Sequence, residues 1–339
     1  MERNGFIMMK SAIVGCGGIA AVHGAVLHQN PDAEAVAYAD VKKERAEAFA
    51  QKYGGSAYGS LEEMLEQESI DVLHICTPHY LHVPMAIKAL KKGIHVLMEK
   101  PPAISHEQLK ELQEAAAGKR VGVCFQNRYN KDVQKALSLV RSGESGKILG
   151  ARATVMWHRD APYYTESGWR GAWATEGGGV LINQSIHTLD LLRYFLGNPT
   201  AVEGHVCNHH LKGVIEVEDT AEAYIQFGDV NALFYATTAY VSDSPVMVEL
   251  VCENMTLKME DGRLTCTPKG GESKTYTFET DNCLGKSYWG YGHQELIGDY
   301  YRCIRENRPF SVPAEDAAKT LELMLGIYES SKNGDMIAL

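Results

Sequence analysis

A chain of 339 residues, 45% hydrophobic and 22% charged, has the balance of an ordinary globular protein and a length that favours two domains. A formal net charge of −10 argues against a basic face for nucleic acid or anionic lipid. No apolar run approaches the roughly 20 residues of a membrane span, so a membrane partner is not expected.

The first ten residues, MERNGFIMMK, lack the apolar core of a signal peptide and read as a short extension. Lys10–Val14 is expected as a strand, Ile19–Gln29 as a helix, Ala33–Ala39 as a strand and Lys42–Tyr53 as a helix. A short helix over Leu61–Glu66 leads to the strand Val72–Cys76. The helix Val83–Lys91, strand His95–Met98, helix Ser105–Ala117 and strand Val121–Phe125 follow. Strands separated by helices imply right-handed crossovers and a parallel sheet. The continuous apolar strands are those of a sheet covered on both faces.

Beyond about residue 130 the pattern changes. Helices are expected over Lys131–Arg141 and Val180–Leu196. Then come strand candidates with no helix between them: Ala201–Asn208, Thr220–Phe227, Ala232–Tyr240, Met247–Val251, Thr256–Met259, Leu264–Thr267 and Thr275–Phe278. Gly228-Asp229 and Asp261-Gly262 supply hairpin turns, so this sheet reads as mostly antiparallel. Helices at about 293–306 and 314–330 close the chain. The eight cysteines have irregular spacing and no CxxC pair, and several lie in apolar runs, such as Cys76 in VLHIC and Cys124 in VGVCF. They are read as free thiols of a reducing compartment, and the protein as cytoplasmic.

The first strand runs into Gly15-Cys16-Gly17-Gly18-Ile19-Ala20 and then a helix. This is GxGxxA, a variant of the dinucleotide fingerprint. Gly15 permits the tight turn, Gly17 lets backbone approach a pyrophosphate, and Ala20 allows close helix–strand packing. Gly18 and Ile19 lead into a helix N-terminus that offers N–H groups to phosphate. Asp40 ends the second strand, 20 residues past Ala20. A carboxylate there suits the ribose hydroxyls and repels a 2′-phosphate, which favours NAD over NADP.

Three further segments complete a pattern. Ile75-Cys76-Thr77-Pro78 continues as His79-Tyr80-Leu81-His82; Met98-Glu99-Lys100-Pro101 follows the next strand; and Gly177-Gly178-Gly179 opens a segment carrying Asn183, His187 and Asp190. Together with GxGxxA these resemble the glucose–fructose oxidoreductase, inositol dehydrogenase and MocA family over nearly the whole chain. The resemblance implies that Thr77, Pro78 and His82 line the cofactor site at the strand ends, that Glu99 and Lys100 sit beside the nicotinamide, and that His187 is the catalytic histidine. Asn183 stands where many inositol-type dehydrogenases carry Asp. An amide binds a hydroxyl but cannot take a proton. Trp169-Arg170-Gly171 and Trp173 resemble a subset that oxidises sugars or cyclitols, which implies that Arg170 lies near the nicotinamide half of the cofactor.

The residues support a parallel reading. If 180–196 is one helix, Asn183, His187, Asp190 and Tyr194 share a stripe on a helix that is otherwise apolar. Such a stripe needs partners, which a substrate pocket supplies. Lys100 precedes Pro101-Pro102 at the C-terminal edge of a parallel sheet, where ligands bind. Asn127, in Gln126-Asn127-Arg128, points to the same edge and is a candidate for substrate hydroxyls. His158 and Tyr291 are further substrate candidates, His158 from the aromatic segment with Trp157, Tyr163 and Tyr164. Packing explains these rings equally well. His205, Cys207, His209 and His210 lack a second cluster of structural-zinc spacing and are read as plain strand, with no metal.

The expected fold is an N-terminal Rossmann doubly wound parallel sheet, 1–130, followed by an α/β domain with an open, mostly antiparallel sheet, 131–312. A final helix, 313–339, returns to the domain junction. The implied activity is hydride transfer between a secondary alcohol of a sugar or cyclitol and NAD. His187 is the base and Lys100 stabilises the alkoxide, with the reversed assignment as the rival. A glycoside hydrolase that retains NAD and a non-catalytic dinucleotide-binding regulator are the other readings. An open sheet face needs covering, so a homodimer or homotetramer is expected.

Overall fold

The computed structural model describes residues 2–3, 6–116, 118–278 and 292–339; Tyr291 and Cys283 lie outside them. By contacts the chain forms two compact units, one of 1–126 with 282–318 and one of 127–281 with 319–339.

In the first unit a short antiparallel pair, β1 (Glu2–Arg3) and β2 (Phe6–Ile7), precedes β3 (Met9–Val14). Then follow α1 (Ala20–Gln29), β4 (Ala33–Ala39), α2 (Lys43–Tyr53), β5 (Ser56–Tyr58), α3 (Leu61–Gln67) and β6 (Val72–Ile75). The series ends with α4 (His82–Lys91), β7 (His95–Met98), α5 (His106–Ala115) and β8 (Val121–Val123). The six strands are all parallel, in the order β5-β4-β3-β6-β7-β8. The chain leaves β3 towards β4 on one side, and β6 lies on the other, so the order reverses beside β3. A ligand crevice opens at the strand C-termini at such a reversal. The apolar runs in β6 and β8 are buried throughout, as strands covered on both faces must be.

The second unit begins with α6 (Lys131–Arg141), β9 (Ile148–Met156), α7 (Ala161–Thr165) and α8 (Ile186–Leu196). Strands β10 (Ala201–Cys207), β11 (Thr220–Phe227), β12 (Val230–Thr237), β13 (Met247–Cys252), β14 (Met255–Glu260), β15 (Arg263–Pro268) and β16 (Lys274–Thr277) follow. After them come α9 (His293–Arg305), which belongs to the first unit, then α10 (Ala314–Asn333) and β17 (Ile337–Ala338). The nine-stranded sheet runs β16-β15-β14-β13-β9-β12-β11-β10-β17. Every neighbouring pair is antiparallel except β9 with β12. Helices α6 and α8 pack on it, while Leu233 and Tyr235 of β12 and Val251 of β13 remain exposed.

Several features differ from the sequence reading, which also lacks β5 and α7. Strand β9 is absent from that reading, although it joins the two halves of the sheet. Only part of it is buried, so ILGARATVM carries no clean alternation. The α-helix expected from Val180 starts at Ile186; residues 180–184 are turns. Segment 282–318 joins the N-terminal unit, a return that the expected limits do not contain. It does so because α9 packs on α1 and Tyr301 bonds Ser11 and His74 in the sheet.

Candidate functional site

The nucleotide turn is set by β3 and β6. Gly15 has φ +85°, and a Cβ there would lie 2.7 Å from the Cys76 carbonyl carbon and 2.8 Å from Thr77 Cγ2. Only glycine fits. Gly17 differs: a Cβ would meet nothing within 4 Å. The protein's own packing does not require this glycine, which suits a backbone left bare for a phosphate. Gly18 follows, and Ile19 caps α1 without a side-chain bond; the Ala21, Val22 and His23 N–H groups donate to the Gly18 and Ile19 carbonyls, and the N-terminal end of the helix favours an anion. Asp40 Oδ2 accepts the Cys16 N–H and Oδ1 the Lys42 N–H, each at 2.8 Å. Asp40 thus ties the end of β4 to the turn, and each oxygen keeps a further lone pair for a ribose hydroxyl. Thr77 Oγ1 is buried with no hydrogen-bond partner among the described residues. The turn, the carboxylate and this orphaned hydroxyl fit a bound dinucleotide.

His82 is buried, with Nδ1 2.8 Å from Pro101 O and Nε2 2.9 Å from Thr77 O. It clamps the two loops that carry Thr77-Pro78 and Lys100, and burial pushes its pKa down. Glu99 is also buried, and its Oε1 lies 3.0 Å from His23 Nε2 and 3.5 Å from His293 Nε2. Burial alone would raise its carboxyl, but these two imidazoles hold it well below the usual carboxylate range. The polar chain continues inward. His23 Nδ1 faces His74 Nδ1 at 2.8 Å, His74 Nε2 lies 2.9 Å from Tyr301 Oη, and that oxygen lies 2.6 Å from Ser11 Oγ. Cys124 Sγ stands 4.0 Å from His23 Nε2. Lys100 follows Glu99 half-buried, and its charge reaches His82 and His293 and disfavours their protonation.

Sequence reasoning passes over His23 and His74. The available signal is a histidine inside an apolar run, VLHI and AAVHGAVL, because a buried polar group must find a partner.

In the second unit the glycines are fixed by packing. A Cβ on Gly178 would lie 2.0 Å from Tyr328 Oη, and one on Gly179 would lie 1.9 Å from Glu218 O. The buried Glu218 carboxylate accepts Gly179 N–H at 3.0 Å, Leu181 N–H at 2.9 Å and Tyr328 Oη–H at 2.8 Å. Burial nevertheless pushes it up to about 7. These bonds hold 179–185 in turns and deliver Asn183 and, in the first turn of α8, His187, both half-buried. Asn183 Nδ2 donates to Glu176 Oε1 at 2.5 Å and lies 3.5 Å from Tyr163 Oη. Gln184 Nε2 donates to the same phenol at 3.1 Å. The Arg170 guanidinium lies over the rings of Tyr163, at 4.5 Å, and Trp169, at 4.7 Å.

Not every candidate joins this patch. His158 is exposed and bound to the 239–243 segment, with Nδ1 2.7 Å from Tyr240 O and its N–H donated to Asp243 Oδ1. Asn127 lies in the single turn Gln126–Tyr129, and its buried Oδ1 has no hydrogen-bond partner among the described residues. Asp190, expected on a stripe facing a pocket, is buried in an ion pair with Arg128. The stripe's partners at 190 and 194 come from Arg128, whose guanidinium also lies over the Tyr194 ring at 4.9 Å. Glu176 and Glu218 carry no mark in the sequence, because nothing in TEGGG or VEDT distinguishes a buried glutamate from a surface one.

A parallel doubly wound unit with a bare glycine turn, joined in sequence to an open-sheet unit, defines a dinucleotide-binding protein. Residues 9–127 match the GFO/IDH/MocA profile described as an oxidoreductase family with an NAD-binding Rossmann fold, and residues 133–258 match the GFO/IDH/MocA C-terminal domain. The chain belongs to this family, and NAD is the cofactor that its first unit is built for.

A D-glucoside 3-dehydrogenase of Escherichia coli is 34% identical over 198 residues, 56% of this chain and 55% of that one. A scyllo-inositol 2-dehydrogenase (NAD(+)) of Bacillus subtilis is 30% identical over 238 residues, 66% of this chain and 67% of its own. The matched stretch thus spans little more than half of the Escherichia coli relative. The WlbA dehydrogenase of Bordetella pertussis, solved with NADH and UDP-GlcNAcA, is 27% identical with a TM-score of 0.85, covering 98% of this chain and 99% of that one.

Proposed function

We propose that the protein is an NAD-dependent dehydrogenase that oxidises a secondary alcohol of a sugar or cyclitol, or carries out the reverse reduction. The observation that carries the polyol reading is the half-exposed patch of Asn183, Tyr163 and Arg170, which joins an amide, a phenol and a guanidinium stacked on aromatic rings. Amides and phenols exchange hydrogen bonds with hydroxyls, and flat rings pack on sugar faces. The relatives' activities on glucosides and inositols support the same substrate class.

NAD, when bound, accepts or returns a hydride at C4 of its nicotinamide. His187 takes the hydroxyl proton as general base, a role typically worth about 10²–10⁴ in rate. Lys100 stabilises the developing alkoxide by its charge. Asn183 and Asn127 orient hydroxyls, with His158 and Tyr291 as further substrate contacts. Gly15, Gly17, Gly18, Ile19, Asp40, Thr77, Pro78 and Arg170 serve the cofactor, while His82 and Glu99 act through the loops that they pin.

The seven described cysteines are unpaired, which fits a cytoplasmic protein. Leu233, Tyr235 and Val251 on the sheet's exposed face suit a second copy of the chain, hence a homodimer or homotetramer. A screen of inositols, polyols, sugars and glucosides with NAD and NADP, read by absorbance of the reduced nicotinamide, tests the assignment. Turnover with at least one cyclitol or sugar is expected. No turnover with any of them overturns it, and aglycone release without NADH accumulation would reassign the protein as a glycoside hydrolase.

A further inference from the structure

Glu176 has no exposed surface. A carboxylate in that position persists only where donors surround it. Its Oε2 accepts the Gly171 N–H at 2.5 Å, and its Oε1 accepts Asn183 Nδ2 at 2.5 Å. Arg170 favours its anion and Glu218 opposes it. Glu176 in turn opposes ionisation of the Tyr164 and Tyr328 phenols. Burial outweighs the donors and pushes the Glu176 carboxyl up to about 7.

A primary amide has a donor end and an acceptor end. The donor end of Asn183 faces Glu176 at 2.5 Å and Tyr163 Oη at 3.5 Å. A partner at the other end of this amide donates to Oδ1. A substrate hydroxyl can do so.

We propose that Glu176 is a positioning residue of the substrate patch, holding the Asn183 amide with Nδ2 turned inward so that position 183 accepts the hydrogen of a substrate hydroxyl. The inference rests on the polyol reading above. It also explains an amide at 183. An aspartate there would offer the same acceptor, but its carboxylate would face that of Glu176 at hydrogen-bond distance, and such a pair must share one proton.

The bonding makes the two side chains exchangeable only together. In Glu176→Gln the Gly171 N–H still claims Gln Oε1. Gln Nε2 then faces Asn183 and turns that amide over. In Asn183→Asp two carboxyls meet. In the double variant Glu176→Gln/Asn183→Asp, Gln Oε1 accepts from Gly171, Gln Nε2 donates to the carboxylate now at position 183, and the single charge is restored.

The test measures urea stability of the parent, both single variants and the double variant, from about pH 6 to about pH 9. One pKa unit corresponds to about tenfold in the folding equilibrium. Asn183→Asp is expected to lose at least about tenfold more than the parent over this range, as its shared proton is stripped. The double variant is expected to stay within about threefold of the parent. Additive effects of the two substitutions overturn the pairing.

With the sugar or cyclitol that the screen returns, Glu176→Gln should raise KM more than it lowers kcat, and the double variant should recover KM. An unchanged KM in Glu176→Gln overturns the positioning role. Coupled stabilities with no turnover on any substrate overturn the polyol reading and leave the pair standing.

Discussion

Arg128 and Asp190 are bonded twice, Nε to Oδ2 at 2.7 Å and Nη2 to Oδ1 at 2.5 Å, with both side chains buried. Thr320 Oγ1 adds a bond to Asp190 Oδ1 at 2.9 Å. The pair joins the turn at 126–129 to the middle of α8, the helix that carries His187. Removing Asp190 takes its carboxylate from the buried Arg128 guanidinium and also from Arg193, whose Nη2 lies 3.9 Å from Asp190 Oδ1; breaking a buried pair typically costs about 3–5 kcal/mol. Asp190→Ala should therefore lower the urea midpoint sharply. The double variant Arg128→Met/Asp190→Leu should recover part of the loss, because a well-packed apolar pair is often as stable as a buried ion pair, while Arg193 still lacks the carboxylate that it faces. A small effect of Asp190→Ala on stability, with a large one on kcat, would place Asp190 in the chemistry.

Asp40 holds the turn, and we assign cofactor choice to it as well. Its two oxygens hold the Cys16 and Lys42 N–H groups, and on this assignment its charge would meet a ribose 2′ substituent. NAD should bind more tightly than NADP in a fluorescence titration. Asp40→Ser should narrow that preference and also weaken NAD, since a hydroxyl cannot hold both backbone donors. Tighter binding of NADP by the parent protein would refute the assignment.

Lys100 and His187 are assigned to the reacting carbon and not to the pyrophosphate. Lys100→Ala and His187→Ala should each remove most turnover, on the order of 10² or more, and leave NAD affinity within a few-fold. Calorimetry of NAD binding beside steady-state rates measures both. Full activity in either variant would dismiss that residue from catalysis.

Burial keeps His74 neutral in the folded protein, well below its ordinary pKa of 6.5. The unfolded chain binds that proton below the ordinary value. The resulting stability is present above it and is lost as pH falls, at up to about 1.4 kcal/mol per pH unit. Glu176 and Glu218 act in the opposite sense. Each is raised to about 7 from an ordinary 4.5, so its contribution is present at acid pH and lost as pH rises to about 7. His74→Phe should be less stable above the ordinary value of 6.5, because Tyr301 and His23 lose a partner, with the gap narrowing as pH falls. Its acid-side slope should accordingly fall by up to one proton. An unchanged slope, from urea midpoints taken at several pH values, would show that His74 is not held neutral.

The parts legible in the sequence are those whose cause is local. Five strands of the parallel sheet stand out in the sequence while the short β5 does not, and Gly15 stands out as a turn residue before a helix. Asp40 is placed by its distance along the chain. The helix start at Ile186 is not legible, because the cause of the preceding turns is Glu218, nearly forty residues on. Strand β9 is hidden for a related reason: its neighbours β12 and β13 lie far along the chain, and its own alternation is weak.

Residue order alone is enough for the doubly wound unit, the glycine turn, NAD as cofactor and the family, because short-range sterics and hydrophobic periodicity act on adjacent residues. What the polar side chains do is settled by the folded chain. Asp190 turns to Arg128, Asn183 to Glu176, and Glu99 to His23 and His293. A buried polar group must be satisfied, but the rule does not say by whom. That choice belongs to residues brought together by the fold, and spacing along the chain carries no record of it.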